Sequence, residues 1–427
     1  MTPVQPVRGT QSLLGEDADR LAAVVAAFDK VRRLYGFKRV EVPTIEHTQV
    51  FARTIGETTD VVSKEMYSFE DRGGESITLR PEFTAGMCRA YLSEGWQQYA
   101  PLKLATHGSA FRYERPQKGR FREFHQLDAE IIGAPEPQAD VELLSLGYQL
   151  LQELGIADGV TLELNTLGDP ETREAWRTSL IDYFEGHKAK LSEDSVARLE
   201  RNPLRILDSK DPRDKAICEA APEIDQHLTS EAADFFAQVT AGIDAAGVPW
   251  KRNARLVRGL DYYRHTAFEF VTDRLGAQGT VIAGGRYDGL IESLGGPHTP
   301  AVGWAAGIER LAMMIGAPEQ EVPWIGVVAD DAEAVSEAIR IVEYLRRNGH
   351  SCEYPLRGNV KRRVEAIRKS GAAGVLFVKS GDRPQDRVHF SQSREMQKDE
   401  YGTDLLLSVL AALPDPYNQL SGDDLPA

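Results

Sequence analysis

One segment of the chain places cationic, acidic and amide side chains at the alternating spacing of β-strands. It is SAFRYERPQKGRFREFHQLDAEIIG, residues 109–133. Two runs with strand-like alternation flank RPQKGR, whose Pro and Gly residues are typical of a turn. The segment therefore predicts an antiparallel hairpin, with a tip made basic by Arg115, Lys118 and Arg120.

The two faces of the second strand of this hairpin differ in chemistry. Alternation puts Leu127, Ala129 and Ile131 on one face. The opposite face carries polar and aromatic side chains, namely Phe124, Gln126, Asp128 and Glu130. In a generic hairpin such a face points to solvent. Here the mixture of polar and aromatic side chains also suits a binding surface for an aromatic base, a phosphate and an amine.

A second candidate site is AVGWAAGIERL, residues 301–311. Gly307 allows close approach of the backbone, and Arg310 lies near the start of a predicted helix. A guanidinium stacks on a purine and also meets phosphate charge. For this motif alone, an exposed Arg on an amphipathic helix is the simpler interpretation. The sequence has no GxxxxGK[ST] loop and no GxGxxG after a strand, so any nucleotide needs another phosphate-binding device.

Length and composition bound the class of protein. The 427 residues, 42% of them hydrophobic, predict two or three domains. There is neither a basic N-terminal region followed by an apolar core nor an apolar run near the roughly 20 residues that span a bilayer, so we expect a cytoplasmic protein without membrane segments. Cys88, Cys218 and Cys352 form no CxxC pair, which predicts reduced thiols.

The charge distribution is uneven. A net charge of −15 argues at first against a nucleic-acid partner, because phosphate binding depends on clustered Lys and Arg. Between Arg340 and Lys369, however, nine Lys or Arg stand against three Glu, a local balance of +6. A solvated helix surface and an RNA-binding face both explain this cluster. Because the cluster lies in a separate C-terminal module, the RNA-binding face is favoured over the solvated surface.

Periodicity divides the chain into a large body and this module. Residues 19–35 predict a helix and KRVEVPTI, 38–45, a strand. At about 170–250, a helical insertion is predicted from three helical segments separated by Pro203, Pro212 and Pro222. The segments are 174–183, 194–200 and 231–246. Strand-like runs follow at 256–271 and 279–290.

The stretch 316–323 is a linker candidate, because its Pro and Gly residues interrupt both periodicities. Beyond it, strand and helix patterns alternate and predict a small α/β domain with a parallel sheet. The segments are WIGVVA (324–329), AVSEAIRIVEYLRRNG (334–349), HSCEYP (350–355), NVKRRVEAIRKSG (359–371) and AGVLFV (373–378). The two helices carry the basic cluster.

Several motifs together resemble one enzyme family. FRYE, a basic loop and RxFHQ are similar to the second signature of class II aminoacyl-tRNA synthetases, and GIERL is similar to the third. Four longer motifs resemble histidyl-tRNA synthetases: TLRPEFTAG (78–86), RYERPQKGRFREFHQ (112–126), LVRGLDYY (256–263) and AGGRYDGL (283–290). The match extends from VRGTQ at residue 7 through GIERL and, more weakly, into the C-terminal domain. LVRGLDYY is highly specific, whereas GIERL alone is weak.

The resemblance implies an α+β fold with an antiparallel class II catalytic domain over residues 1–320. The helical insertion belongs to this domain, a C-terminal α/β anticodon-binding domain covers 324–413, and 414–427 form a tail. The implied activity is that of a histidine–tRNA ligase, which forms histidyl-adenylate from ATP and then transfers histidine to the 3′ end of its tRNA. ATP acts with Mg²⁺ as a substrate complex, and no tightly bound protein metal is expected. The implied partners are tRNA(His), histidine, ATP and a second copy of the chain in a homodimer.

The resemblance also assigns roles in ATP binding and catalysis. Arg112 would contact the α-phosphate and Arg120 the distal phosphates. Phe124 and Arg310 would enclose the adenine. Arg258 would bridge the histidine carboxylate and the α-phosphate, which makes it, with Arg112, the candidate catalytic residue.

For histidine, three side chains would hold the α-amino group: Glu82, Thr84 and Gln126. Glu130 and Tyr263 would read the imidazole, with Tyr262 beside them. Arg112 and Arg258 would complete the histidine site. At the hairpin tip, Arg115 and Gln117 would meet the acceptor end of the tRNA.

Three alternatives stay open at this point. The chain could be an inert paralogue that serves as regulatory subunit of ATP phosphoribosyltransferase, against which LVRGLDYY and the C-terminal module argue. It could be a class II synthetase for another amino acid, against which Glu130, Tyr262 and Tyr263 argue. It could also be a sheet scaffold that binds tRNA without catalysis.

Two positions depart from the family pattern. Phe83 stands where the RPExTA motif usually has glycine, and we expect its side chain to alternate away from Glu82 and Thr84, so that the change is neutral. The segment VHFSQSREMQKD, 388–399, differs from the usual family ending.

Overall fold

The computed structural model describes residues 3–56, 59, 61–207, 209, 211–257, 263–317, 325–369, 372, 374–381 and 388–392. The chain divides into two compact units, Met1–Pro318 and Glu319–Ala427. Within the described ranges, every helix is too short or too polar to span a bilayer. The catalytic role of the first unit and the anticodon-binding role of the second stay predictions.

The first unit contains a large sheet and a small one. Its strands are β1 (Lys38–Arg39), β2 (Ile45–His47), β3 (Tyr67–Glu70), β4 (Ser76–Leu79), β5 (Leu102–Phe111), β6 (Glu123–Ile132), β7 (Thr161–Thr166), β8 (Trp250–Arg252), β9 (Arg264–Val271), β10 (Thr280–Arg286) and β11 (Ala301–Gly307). The large sheet has the order β1-β5-β6-β11-β10-β9-β7-β8 and the small one β2-β4-β3. From β5 to β7 all neighbours in the large sheet pair antiparallel. This arrangement confirms the predicted α+β class.

The predicted hairpin is β5 and β6, which pair antiparallel from Leu102↔Ile132 to Phe111↔Glu123. At its tip, Gln117 and Arg120 form an antiparallel bridge around Lys118 and Gly119. Gly119 has a φ of 71°, a left-handed conformation that glycine adopts without strain. The turn predicted from RPQKGR is therefore confirmed.

The helices of the first unit pack on both faces of the large sheet. They are α1 (Glu16–Leu34), α2 (Thr48–Ile55), α3 (Thr84–Ser93), α4 (Pro137–Glu153), α5 (Pro170–Glu185), α6 (Glu193–Arg201), α7 (Pro212–Glu219), α8 (Ser230–Ala245), α9 (Leu290–Ser293) and α10 (Ile308–Ala312). The helix predicted over 19–35 is α1. It begins with three acidic residues and ends with two basic ones, a distribution that favours the helix dipole.

The alternation along β6 separates core from site, as predicted. Leu127, Ala129 and Ile131 pack in a core built with α1, α4 and α8. The opposite face of β6 turns toward α3, because Thr84 at the start of α3 donates a hydrogen bond to Glu130. One strand thus faces the hydrophobic core on one side and a polar cavity on the other.

The predicted helical insertion consists of α5 to α8, and the three predicted segments lie in α5, α6 and α8 to within one residue. Pro203, Pro212 and Pro222 all lie between α6 and α8, where the sequence did not predict α7. Pro212 begins α7, because a proline in the first helical turn lacks an N–H that would have no partner there. Asp211 caps the same helix by accepting a hydrogen bond from the backbone N–H of Arg213 at 2.9 Å.

Other boundaries also differ from the prediction. KRVEVPTI is not one strand, since β1 and β2 belong to different sheets with Pro43 between them. In the run 256–271 only β9 is a strand, and residues 258–262 lie outside the described ranges. Of the linker candidate, 316 and 317 are neither helix nor strand, and the rest lies outside the described ranges.

The second unit is an α/β domain that consists of one mixed sheet and helices. Its elements are β12 (Ile325–Ala329), α11 (Val335–Arg347), β13 (Cys352–Glu353), α12 (Val360–Lys369), β14 (Gly374–Val378) and β15 (Val388–Gln392). The strand order is β13-β12-β14-β15. The parallel pairing predicted for the first three strands is confirmed, whereas β15 pairs antiparallel with β14, so an all-parallel sheet is wrong.

A buried ion pair joins β10 to the start of α4. Arg286 and Asp140 are both almost fully buried, with the Arg286 Nε 3.2 Å from the Asp140 Oδ2. The Arg286 Nη1 also donates to the Ala134 carbonyl at 2.9 Å. Because a charge left alone in the core loses its solvation, the pair is costly to break from one side.

We expect Asp140→Asn to lower the free energy of unfolding by about 3 kcal/mol, because Arg286 keeps its charge without its main partner. Urea unfolding of wild type and variant at neutral pH measures this difference. Glu153→Gln is the matched control, since it weakens the exposed pair with Lys30, and exposed pairs contribute about 1 kcal/mol or less. Equal losses in the two variants would contradict the prediction.

Candidate active site

A cavity of about 230 Å³ opens beside β6, β10 and β11. Small residues of β10 and β11 leave room for it: Ala283, Gly303, Ala305 and Gly307. Three of them alternate along β11 and therefore share one face of the strand. A ligand in the cavity lies against the backbone of the sheet rather than against large side chains.

One end of the cavity is acidic and is centred on Glu130, which is 1% exposed. Thr84 Oγ1 donates to Glu130 Oε1 at 2.6 Å, and the Tyr287 hydroxyl donates to Oε2. A Cβ on Gly303 would overlap the Glu130 carboxylate. The glycine is therefore required for Glu130 to take this position.

Two further carboxyl groups lie near this end. Burial raises the pKa of Glu130 from 4.5 to about 8 and also raises the pKa of Glu82. Burial, followed by the charges of Glu130 and Glu82, raises the pKa of Asp128 well above its ordinary value. Each of these groups is thus more easily ionised when a cation or an N–H donor enters beside it.

The other end of the cavity is basic. Arg112, Arg120 and Arg310 all line it. Glu114 pairs with Arg120 at 2.8 Å and lies 4.0 Å from Arg112. Burial, followed by the charge of Arg120, lowers the pKa of Arg310. Three guanidinium groups outnumber two carboxylates here, Glu114 and Glu309, which leaves this end cationic and suits a polyanion.

An aromatic ring and a guanidinium stand at the same end. The ring of Phe124 lies 5.3 Å from the Cζ of Arg112. Arg310 is fixed by two carbonyl groups, with its Nη1 2.8 Å from the Thr280 oxygen and its Nε 3.3 Å from the Gly119 oxygen. These contacts connect α10 to the start of β10 and to the hairpin tip.

The structure brings most of the predicted site residues together. Eight of them line the cavity: Glu82, Thr84, Arg112, Arg120, Phe124, Gln126, Tyr263 and Arg310. Glu130 is not itself a lining residue, but it accepts hydrogen bonds from two of them, Thr84 and Tyr287. Arg115 and Gln117 are exposed at the hairpin tip and do not line the cavity. Arg258 and Tyr262 lie outside the described residues.

Tyr287, Gly303 and Glu309 are among the cavity residues that were not predicted. The sequence does contain a pattern that indicates Gly303, because Gly303, Ala305 and Gly307 are small residues at period 2 within a strand. Tyr287 belongs to the AGGRYDGL motif, but its contact with Glu130 spans 157 residues of sequence. No local pattern indicates a contact of that range.

Phe83 packs away from the cavity, as expected from its position between Glu82 and Thr84. It is 1% exposed and belongs to the core near α3, while its two neighbours line the cavity. The guanidinium of Arg80 lies over its ring at 4.0 Å. That the change is neutral for activity stays a prediction.

Comparison with known proteins identifies one family. The sequence model of histidyl-tRNA synthetase matches residues 9–311. The chain belongs to the histidyl-tRNA synthetase family. A histidine–tRNA ligase of Novosphingobium aromaticivorans is 64% identical over 382 residues, which cover 88% of this chain and 91% of the relative. Another, of Gluconobacter oxydans, is 50% identical over 412 residues, which cover 96% of this chain and 99% of the relative.

Solved structures of this family are similar to the structure of the chain. The crystal structure of apo S. aureus histidyl-tRNA synthetase is similar with a TM-score of 0.77 at 30% identity, covering 92% of this chain and 96% of that one. A structure described as an ATP phosphoribosyltransferase regulatory subunit/histidyl-tRNA synthetase from Bacillus halodurans C has a TM-score of 0.64 at 20% identity, covering 89% of this chain and 100% of that one.

The second likeness shows the fold alone, which does not decide function. The relatives at 64% and 50% identity are ligases by name and support the synthetase over the regulatory subunit. The predicted aminoacyl-tRNA synthetase is therefore confirmed, and the regulatory alternative is not supported.

Glu130 makes the stability of the ligand-free protein depend on pH. The group ionises near pH 4.5 in the unfolded chain and near pH 8 in the folded protein. The folded state binds the extra proton between these values, so its stability falls as the pH rises from about 5 to 8 and levels off above.

We expect Glu130→Gln to remove this dependence. The Tm of the variant relative to wild type should rise by about 3 °C or more between pH 5 and pH 8, since roughly 1 kcal/mol shifts Tm by a few degrees in a unit of this size. Thermal unfolding without substrates measures it. Glu70→Gln, at an exposed strand end, is the control. A Tm difference independent of pH would show that Glu130 ionises normally in the fold.

Proposed function

We propose that this chain activates histidine with ATP as histidyl-adenylate and transfers it to the 3′ end of its tRNA, with both half-reactions in the cavity beside β6. The observation that carries this proposal is the convergence of an acidic end and a basic end in one cavity. Histidine brings an ammonium group and an N–H donor, and ATP brings a triphosphate. Each substrate therefore has an end of complementary charge, and their reacting groups meet between the two.

The α-amino group of histidine is proposed to lie against Glu82, Thr84 and Gln126. Glu82 Oε1 already accepts a hydrogen bond from the Ala85 N–H at 2.9 Å, which fixes the carboxylate. In the described part of the chain, the buried Gln126 Oε1 has no hydrogen-bond donor. A buried acceptor without a donor is unfavourable by about 1–3 kcal/mol, and an ammonium group relieves that penalty.

The imidazole is proposed to meet Glu130 and Tyr263, with Tyr262 beside them. The carboxylate of Glu130 accepts from the ring N–H, while Thr84 and Tyr287 hold it in place. The ring of Tyr263 lies close to the backbone of β10, since a Cβ on Gly285 would be 2.7 Å from its Cδ1. A site with buried polar groups rejects amino acids that leave those groups unpaired, which provides the selection for histidine.

ATP is proposed to bind at the basic end with Mg²⁺ as its substrate complex. Arg112 contacts the α-phosphate and Arg120 the distal phosphates. The adenine lies between Phe124 and Arg310, where a flat aromatic ring and a flat guanidinium enclose a purine. The contacts of Arg310 with Thr280 and Gly119 keep its plane in position before ATP arrives.

The chemistry needs charge compensation rather than a protein base. The histidine carboxylate is already ionised, and it attacks the α-phosphorus in line as pyrophosphate leaves. This step brings two anions together and moves charge onto pyrophosphate, so fixed cations lower the barrier. Arg112 and Arg258 are the proposed catalytic residues, because they meet the charge at the centre of the reaction.

The tRNA is proposed to contact two separate surfaces. Arg115 and Gln117 at the hairpin tip meet the acceptor end. The second unit binds the anticodon through the basic cluster of α11 and α12, whose Arg and Lys side chains are exposed except for Arg363. The homodimer and the cytoplasmic location implied by the resemblance stay predictions.

Histidine-dependent exchange of pyrophosphate into ATP tests the function. We expect exchange with histidine and none with the other amino acids, because only histidine pairs with Glu130 and Tyr263 together. Folding of each sample is checked by thermal unfolding. Exchange with a different amino acid, or none in a folded sample, would refute the proposal.

Arg258→Ala tests the catalytic assignment. We expect kcat for exchange to fall about 100-fold or more while the KM for ATP changes little, since the charge acts mainly on the transition state. Arg213→Ala, an exposed arginine of α7 paired with Asp211, is the control. A raised KM for ATP with kcat unchanged would mean that Arg258 only binds substrate.

A further inference from the structure

A single carboxylate joins the two elements that carry Phe124 and Arg310. Glu309, on α10, accepts the backbone N–H of His125, on β6, with both of its oxygens at 3.0 and 3.1 Å. The His125 Nδ1 lies 2.8 Å from the Glu309 Oε1. Glu309 is 6% exposed, so these contacts are largely shielded from water.

This contact lies just beyond the last residue pair between β6 and β11. The pairing of β6 with β11 ends at Gln126↔Gly307, where β11 gives way to α10. The next N–H along β6, that of His125, lies past the end of this ladder. A half-buried N–H without a partner is unfavourable, and the Glu309 carboxylate supplies the missing acceptor. The end of β6 is thereby attached to the first turn of α10.

The residues that the contact joins are the immediate neighbours of the proposed adenine site. His125 follows Phe124, and Arg310 follows Glu309. The contact therefore holds together the two backbone segments that carry Phe124 and Arg310, one residue away on each side. A purine slot needs a fixed width of one ring between its two walls, because dispersion is lost rapidly as a gap opens.

We propose that Glu309 is a positioning residue for ATP, which sets the width of the adenine slot by holding β6 and α10 together. The inference rests on the proposed function, since it takes Phe124 and Arg310 as the two walls of that slot. Glu309 acts through its neighbours and is not a catalytic residue.

The charge of Glu309 is balanced locally. Its hydrogen bond with His125 raises the pKa of the imidazole, against the lowering effect of burial. A protonated His125 neutralises Glu309, and Arg310 lies next to it in sequence. A carboxylate can therefore line a cavity that takes a polyanion without repelling it.

The test compares the base with the phosphates of ATP. In the exchange assay, we expect Glu309→Ala to raise the KM for ATP and the inhibition constant of adenosine about tenfold, as for the loss of a hydrogen bond to a charged group. The inhibition constant of tripolyphosphate and the KM for histidine should stay within about twofold, because the basic end and the acidic end keep their own contacts. Glu309→Gln keeps one acceptor oxygen and should have a smaller effect of the same kind.

Two further variants make the outcomes distinguishable. Phe124→Ala should also weaken adenosine inhibition; if it does not, the proposed adenine slot itself is wrong. If Phe124→Ala weakens adenosine and the Glu309 variants do not, the positioning role is overturned. Equal changes in all four constants would indicate a general loss of structure and would also overturn it. Glu292→Ala is the control, since it removes an exposed carboxylate that pairs with His298 at 2.9 Å.

Should Glu309→Ala not fold, as judged by its thermal unfolding, Glu309→Gln carries the test. His125→Ala provides an independent comparison, because it removes the imidazole contact and keeps the backbone N–H. We expect its effect on adenosine to be smaller than that of Glu309→Ala. The reverse order would contradict a role through the backbone of β6.

Discussion

The register between β6 and β11 determines which side chains face the cavity. Gln126 stands opposite Gly307, Asp128 opposite Ala305 and Glu130 opposite Gly303. Each polar residue of β6 is thereby paired with a residue that has little or no side chain. A slip of one residue would turn the polar residues into the core and Leu127 and Ala129 into the cavity. The apolar face of β6, packed on three helices, prevents that slip, so the core and the site depend on the same alternation.

The cavity buries acidic and basic groups at a cost in stability. Burial raises the pKa values of Glu82, Asp128 and Glu130, while three arginines converge at the other end with two carboxylates among them. The charge of Arg112 offsets only part of the effect of burial on Glu82 and Asp128. Substrates of matching charge relieve both ends at once, which is how a preorganised polar site gains affinity and lowers a reaction barrier together.

Local patterns in the sequence were sufficient for the elements that bring their own signals. Alternation predicted both faces of the hairpin, Pro and Gly predicted its turn, and α1 followed from helical spacing. Eight of the predicted site residues converge, because the motifs that carry them belong to a family with a common fold. The sequence-based assignments of Arg258 and Tyr262 rest on the resemblance alone.

Such local patterns could not predict contacts between distant segments. Tyr287 meets Glu130 across 157 residues and Glu309 meets His125 across 184. Nothing in the neighbourhood of either residue indicates its partner. Helix α7 was missed for a related reason, since Pro212 interrupts a helix or begins one depending on whether a residue such as Asp211 caps the turn. The antiparallel β15 likewise follows from its partner β14 rather than from its own composition.

The hydrogen bond from Arg310 to the Gly119 carbonyl joins the adenine wall to the hairpin tip. A Cβ on Gly119 would lie 2.9 Å from the Met313 Cε, so the tip packs closely on the turn that follows α10. In the proposed function, an RNA end at the tip and a nucleotide beside Arg310 therefore meet at the same contact. Thermodynamic linkage then makes the effect mutual: whatever factor ATP imposes on RNA affinity, RNA imposes on ATP affinity. Under that proposal, a contact remote from the amino acid couples the two large substrates.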